Sequence, residues 1–215
     1  MTVILKKMII LDNFLSLDSF NNWIKLNTPL TLSKLKELKA GDAVLLSGKI
    51  LSARDAAHKK IVSVLENKNK NLENNSSNKD LKQKLPIKKL PVNLKNQVIF
   101  YMGPSPTPPG KNSGSIGPTT SSRMDIFTEP ILKAGAAATI GKGKRSQETK
   151  ELFLKYKAVY FIAPGGVAAL LAKKVKQIKP IAYQELGPEA IYCIEVENLP
   201  VFVAYDIYGG DIFIK

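Results

Sequence analysis

The chain is predicted to be an α/β protein, because short apolar runs read as strands alternate along it with amphipathic stretches read as helices. Three observations carry that prediction. Apolar runs lie at Ala43 to Ile50, Gln97 to Tyr101, Ala136 to Ile140, Ala158 to Ala163, Ile178 to Tyr183 and Val201 to Tyr205. Helical spacing falls between them, most plainly over Ser52 to Leu65 and from Ser146 to Tyr156. Gly and Pro mark most of the junctions.

Length and composition narrow the function classes. With 215 residues and 44% hydrophobic content, the chain can bury one sizeable core. Its formal charge of +14 would suit a polyanion. Yet the lysines are spread over the whole chain, and no aromatic and basic residues interleave as in a base-stacking module, so no nucleic-acid partner is expected. One Cys and one His exclude an intramolecular disulfide and leave no metal-ligand cluster, so any metal centre must come from another chain. The N-terminal apolar run is short, and Ala158 to Ala172 is broken by Pro164-Gly165-Gly166. No signal peptide and no membrane span are therefore expected, and a soluble, cytoplasmic protein is.

Taken in order, residues 1–26 read as an N-terminal extension and residues 27–215 as one domain. Thr31 to Leu38 is a predicted short helix, and Ala43 to Ile50 a strand after the Gly41-Asp42 turn. The next helix is predicted from Ser52, with Ser52 as N-cap and Asp55 three residues on. Its apolar stripe is Ala57, Ile61, Val64 and Leu65, and Arg54 and His58 fall on the same side. A cation in a first turn opposes the helix dipole, and on an inward face it needs an anion. That anion is either a structural salt-bridge partner or a ligand carboxylate. Residues 67–83 read as an exposed, disordered insertion, since Asn67 to Asp80 holds six Asn, three Lys and two Ser with Leu72 its one apolar residue.

The stretch from Met102 to Asp125 is too rich in Pro, Gly, Ser and Thr for regular structure and long enough to be a functional loop. It ends in Gly117-Pro-Thr-Thr-Ser-Ser-Arg-Met-Asp125, read as a loop entering a helix whose free N–H groups favour an anion near Thr119 and Arg123. That helix is expected to end at Thr128, with a second starting at Glu129-Pro130. Gly141-Lys-Gly-Lys-Arg-Ser146 is a second basic entrance, suited to an anion or a solvated turn, without the glycine spacing of a nucleotide-binding loop. Val167 to Val175 is a predicted helix whose Ala168, Ala169 and Ala172 imply close packing. Glu185 to Tyr192 is a short helical stretch, and Gly209-Gly210 a hairpin turn.

Together these segments resemble a known family. Ser52-Ala-Arg-Asp-Ala-Ala-His-Lys-Lys, Tyr-Met-Gly-Pro-Ser-Pro with Gly-Pro-Thr-Thr-Ser-Ser-Arg-Met-Asp, Gly-Lys-Gly-Lys-Arg-Ser, Pro-Gly-Gly-Val-Ala-Ala-Leu-Leu-Ala and Leu186-Gly-Pro-Glu-Ala-Ile occur in family order over roughly residues 27 to 212. They resemble the β subunit, or C-terminal domain, of class I iron–sulfur hydro-lyases, the fumarate hydratase and L-tartrate dehydratase group. Ser122 stands where many relatives have Gly. The resemblance implies a swivelling β/β/α domain with a mixed sheet or partly open barrel, similar to the mobile domain of aconitase-like enzymes. It also implies a [4Fe–4S] cluster on a separate α subunit, an α2β2 assembly, and an open iron that holds the substrate hydroxyl as a Lewis acid.

Reversible hydration of fumarate to (S)-malate must hold a dianion, stabilise a carboxylate gaining charge and move one proton. Arg54, Arg123 and Lys142 are the candidate substrate-binding cations, from three separate helix entrances. Thr119 and Arg123 are the candidate catalytic pair, with Thr119 either transferring the proton or only hydrogen-bonding substrate. Asp55, His58, Ser121 and Asp125 are expected to support them from behind. The alternatives are an L(+)-tartrate dehydratase β subunit and a basic, non-catalytic binding module.

Overall fold

The computed structural model describes residues 22–74 and 90–214. Seven strands form one mixed sheet: β1 (Ile24–Asn27), β2 (Ala43–Ser52), β3 (Val98–Phe100), β4 (Ala138–Gly141), β5 (Val159–Ile162), β6 (Val175–Ala182) and β7 (Ile191–Tyr205). The order is β1-β2-β3-β4-β5-β7-β6, with a further pairing of β2 to β7. That pairing closes β2, β3, β4, β5 and β7 into a five-stranded, barrel-like ring, where a mixed sheet or partly open barrel was expected. β2 to β5 run parallel, and β7 runs antiparallel to both β2 and β5.

Alternation along each strand explains why the ring forms. Val98 and Phe100, Ala138 and Ile140, Val159 and Phe161, and Val201 and Val203 fill the interior with Val44, Leu46 and Ile50. Their neighbours Ile99, Tyr160 and Ala204 point outward into a second cluster with Ala57, Ile61, Ile131, Leu132 and Phe153 of the covering helices. Such period-two inside–outside placement is what a closed sheet requires. Gly48 sits at the register shift of β2 with φ +104°, and a Cβ there would lie 2.5 Å from Thr28 Oγ1. The shift re-aims the long strand so that its first half pairs β1 and its end pairs β3.

The helices are α1 (Leu32–Leu35), α2 (Asp55–Asn74), α3 (Asp125–Lys133), α4 (Gln147–Tyr156) and α5 (Ala168–Ala172). Several boundaries differ from the sequence expectation. Ser52 is the buried last residue of β2, its Oγ accepting from Tyr192 N at 3.3 Å, so it does not cap α2. On α2 the buried stripe includes Ala57, His58, Ile61 and Val62, while Val64 is half-buried. The helix runs on through Asn74, past the expected start of the insertion, because the polar Asn/Lys run continues its backbone bonding; residues 75–89 lie outside the described set. Of the predicted extension, residues 24–26 belong to β1 and 1–21 are likewise outside the described residues.

Pro130 lies within α3 and does not start a new helix. Its missing N–H would have met the carbonyl of Ile126, whose residue is 79% exposed, so solvent can satisfy that group. Ser146 does cap α4, accepting from Thr149 N at 3.2 Å. α5 is shorter than expected and Ala169 is exposed, while Ala172 packs against the ring core and Ala168 meets the loop at Gly117, where a Cβ would come within 3.0 Å. Glu185 to Tyr192 resolves into a 3₁₀ turn, Gln184–Glu189, ahead of β7. After Tyr205 the chain makes one bridge, to Asp211, and not a hairpin of two strands.

Phe161 is fully buried in the ring interior. Phe161→Ala should therefore cost about 3–5 kcal/mol in denaturant unfolding, and a loss below about 1 kcal/mol would contradict a packed interior.

Candidate active site

Because β2, β3 and β4 are parallel, their carboxyl ends meet at one rim, the usual place for ligands in such sheets. Arg54 and Asp55 follow β2, Gly103 follows β3 and Lys142 follows β4. The amino end of β7 reaches the same rim, since Ser52 pairs Tyr192, and brings the preceding 3₁₀ turn with Glu189.

The loop from Met102 is ordered and folds back on itself. Ser105 N donates to Ser115 O at 3.1 Å, Ser115 N to Ser105 Oγ at 2.8 Å, and Asn112 Nδ2 to Val175 O at 3.1 Å. Gly114 is required, because a Cβ would collide with Ser105 O. The loop then threads between the ends of β3 and β4: Thr119 N donates to Tyr101 O at 2.7 Å, Lys142 N to Thr119 O at 3.2 Å, and Ser121 N to Lys142 O at 3.0 Å. The structure corrects the reading of a helix entrance with free N–H groups. Thr119 N and Ser121 N are spent on this strand-like pairing, and the chain then enters a 3₁₀ turn, Ser121–Met124. The charged groups gathered at this rim are side chains.

Asp55 joins two of the candidate cations. Arg123 donates from Nε to Asp55 Oδ1 at 3.0 Å, with Nη2 at 2.9 Å from the same oxygen. Arg54 Nη2 lies 3.8 Å from Asp55 Oδ2 and 3.4 Å from Glu189 Oε1. Glu189 is itself fixed by Ala56 N, which donates to Oε2 at 2.8 Å. Arg54 Nε and Asp55 Oδ2 are buried without a hydrogen bond, so this pair keeps unused donor and acceptor capacity. Gly103 allows the close approach: a Cβ there would lie 3.4 Å from Arg54 Cδ and 2.6 Å from Pro188 O. Lys142 is exposed, and its ammonium has no ion-pair or hydrogen-bond partner among the described residues; the half-buried Thr119 hydroxyl likewise has none.

The supporting residues divide. His58 is fully buried, with Nδ1–H donating to Arg54 O at 2.9 Å and its ring edge-on to Tyr101. Burial lowers its pKa to about 4, outweighing the bond to Arg54 O, so His58 is neutral and holds the backbone of Arg54. Ser121 is buried and shares a hydrogen bond with the Tyr160 hydroxyl at 2.9 Å; a Cβ on Gly141 would collide with its Oγ. Asp125 faces away from the rim, binding Arg145 Nε and accepting from Ser146 N at 3.0 Å.

Comparison with known proteins places this arrangement. A family profile described as Fumarase C-terminus matches residues 13–215. The chain belongs to the fumarase C-terminus family. Among its relatives, fumarate hydratase 2 of Leishmania major is 36% identical over 184 residues, covering 85% of this chain and 29% of that protein. Anaerobic class I fumarate hydratase of Escherichia coli is 34% identical over 194 residues, 88% of this chain and 32% of that protein. The L(+)-tartrate dehydratase subunit beta of E. coli is 31% identical over 192 residues, covering 87% and 85%. The chain thus spans about a third of the fumarate hydratases and most of the separate β subunit.

As a fumarase C-terminus domain, the chain uses residues that sequence reasoning left unassigned. Glu189 lies in the Leu186-Gly-Pro-Glu segment, but nothing local signals a pairing with Arg54. Arg145 and Tyr160 are hidden beneath the rim, and Gly103 is legible only once Arg54 is placed. A [4Fe–4S] cluster does not fit this chain: three thiolates are needed, and Cys193, the sole cysteine, is a half-buried residue of β7 opposite Leu51. No described helix is long and apolar enough to cross a membrane.

The neutral buried His58 sets an acid limit to stability. The unfolded chain takes up its proton near pH 6.5 and the folded chain only near pH 4, so stability is lost as pH falls between them. The loss should reach about 3 kcal/mol. Unfolding curves from pH 8 to pH 4 should show this slope in wild type and lack it in His58→Gln; parallel curves would contradict the assignment.

Proposed function

We propose that this chain is the β subunit of a two-subunit hydro-lyase that interconverts fumarate and (S)-malate, and that it supplies the dicarboxylate-binding wall and the proton-transfer residue. The observation that carries the reading is the gathering of Arg54, Arg123, Thr119 and Lys142 at the carboxyl ends of β2 to β4, with Asp55 holding both guanidiniums. Family membership and the similarity over most of the length of a relative named as a β subunit support it.

Hydration adds the hydroxyl to one alkene carbon and the proton to the other; in reverse, the proton leaves the carbon next to a carboxylate. Negative charge then grows on that carboxylate. Arg54 and Arg123 are already aimed, since their rotamers are fixed by Asp55 and Glu189, so little reorganisation is needed as the charge appears. Lys142, exposed and unpaired among the described residues, adds a third cation. The Thr119 hydroxyl, half-buried four residues before Arg123 and without a hydrogen-bond partner among the described residues, is the proposed proton carrier. The reading places a [4Fe–4S] cluster on an α partner, where it would supply Lewis-acid chemistry at the hydroxyl. It also implies an α2β2 assembly in the cytoplasm, and a swivelling domain similar to the mobile domain of aconitase-like enzymes. The tartrate dehydratase reading is kept beside it because the E. coli β subunit matches over most of its length; both substrates are dianions that need the same cations.

After anaerobic assembly with the α subunit, activity on fumarate and on L-tartrate separates the two readings, and activity on neither overturns both. Thr119→Ala should lower kcat by about 10²–10⁴-fold with KM little changed; an unchanged kcat would return Thr119 to hydrogen bonding alone. Arg54→Ala should raise KM by about 10- to 100-fold, the worth of a charge-assisted hydrogen bond, and unaltered kinetics would make Arg54 a structural ion-pair residue.

A further inference from the structure

Beneath the rim lies a cation to which the dicarboxylate reading gives no role. The Arg145 side chain is 0% exposed. A guanidinium stays charged in proteins, so such burial must be compensated. Nε bonds the Asp125 carboxylate, and Nη2 donates to Thr128 Oγ1 at 2.6 Å. The rings of Tyr160, Tyr101 and Phe153 lie 5.4, 5.5 and 5.6 Å from Cζ. Its backbone N donates to the Tyr205 hydroxyl at 3.0 Å.

The Arg145–Asp125 pair ties the ends of the two candidate loops together. Asp125 directly follows the 3₁₀ turn that carries Arg123, while Arg145 ends the loop that carries Lys142. Tyr160 makes a second link, its hydroxyl lying 2.9 Å from Ser121 Oγ and 2.6 Å from Gly143 O. Burial raises the pKa of that hydroxyl, so it remains a neutral donor. The Tyr160 hydroxyl donates to the Gly143 carbonyl and shares a hydroxyl–hydroxyl bond with Ser121, so one group ties two different loops. Neither side chain reaches the rim surface, since both residues are buried.

We propose that Arg145 and Tyr160 form a buried clamp that fixes the 119–123 segment against the 142–145 segment, making them positioning residues for Thr119, Arg123 and Lys142. The clamp's catalytic consequence rests on the dicarboxylate reading; its structural part does not. A purely stabilising ion pair could be exchanged for apolar groups at little loss. A clamp could not, because the loops would lose their common register.

Tyr160→Phe tests this by removing one hydroxyl while keeping the ring contacts. In the full chain, the amides of Ser121 and Lys142 should exchange at least about tenfold faster, with Tm shifted by less than about 4 °C. In the assembled enzyme kcat should fall about 10- to 100-fold with KM changed less than about threefold. The double variant Asp125→Asn/Arg145→Met, which leaves no lone buried charge, should fold and show the same faster exchange and the same low kcat. Wild-type exchange in Tyr160→Phe overturns the clamp, and faster exchange with unchanged kcat overturns its positioning role. An inactive wild-type assembly overturns the dicarboxylate reading, and the exchange rates still decide the clamp.

Discussion

The antiparallel pairing of β2 with β7 is the constraint on which the rest of the molecule depends. Without it the sheet would end at β2 on one side, and the interior faces of Val98, Phe100, Val159 and Phe161 would need another cover. With it the ring closes, and its exposed edges reduce to β1 and β6. The same pairing sets Ser52 against Tyr192. It thereby fixes the distance between the start of α2 and the 3₁₀ turn before β7, and so places Glu189 beside Arg54.

Charge at the rim arises from that geometry. Two arginines beside each other repel, and two long side chains left free would each lose rotamer entropy on meeting a ligand. Asp55 addresses both effects, since one carboxylate touches Arg123 with one oxygen and approaches Arg54 with the other. The pairs are a quarter to half exposed, so solvent screening keeps their contribution to stability small. Their value is orientation. The buried pair of Arg145 and Asp125 differs, because there desolvation is severe and three aromatic rings share the compensation.

The α/β class, the positions of β2 to β5 and the Ser146 cap were legible in the sequence because each rests on local pattern, whereas β1 and residues 191–200 of β7 were not read as strand. Short continuous apolar runs mark β3, β4 and β5 wherever they end up. Ring closure was not legible, since it depends on the register of strands separated by most of the chain. Arg54, Arg123 and Lys142 could be named as candidates and Asp55 as a supporting residue, but not the pairing with Glu189, an ordinary carboxylate until the fold brings it to Arg54. Helix boundaries failed where tertiary contact overrode a local signal. Ser52 has the residue type and spacing of a cap, yet β2 claims it for a strand; Pro130 has the look of a helix start, yet it lies inside α3.

The charge balance of the rim bears on why such a chain would need a partner. Arg54, Arg123 and Lys142 stand with Asp55 and Glu189, three cations against two carboxylates. Pairing preorganises the guanidiniums, but it also cancels most of the field a dianion would feel. One net positive charge in a solvent-exposed setting attracts a dicarboxylate only weakly. Excluding water would strengthen the same contacts several-fold without moving a residue, because the effective dielectric falls. On the proposed reading, the partner surface contributes by covering this rim as well as by bringing the metal. The isolated chain then has its cations aimed, and the second wall is what turns aim into binding.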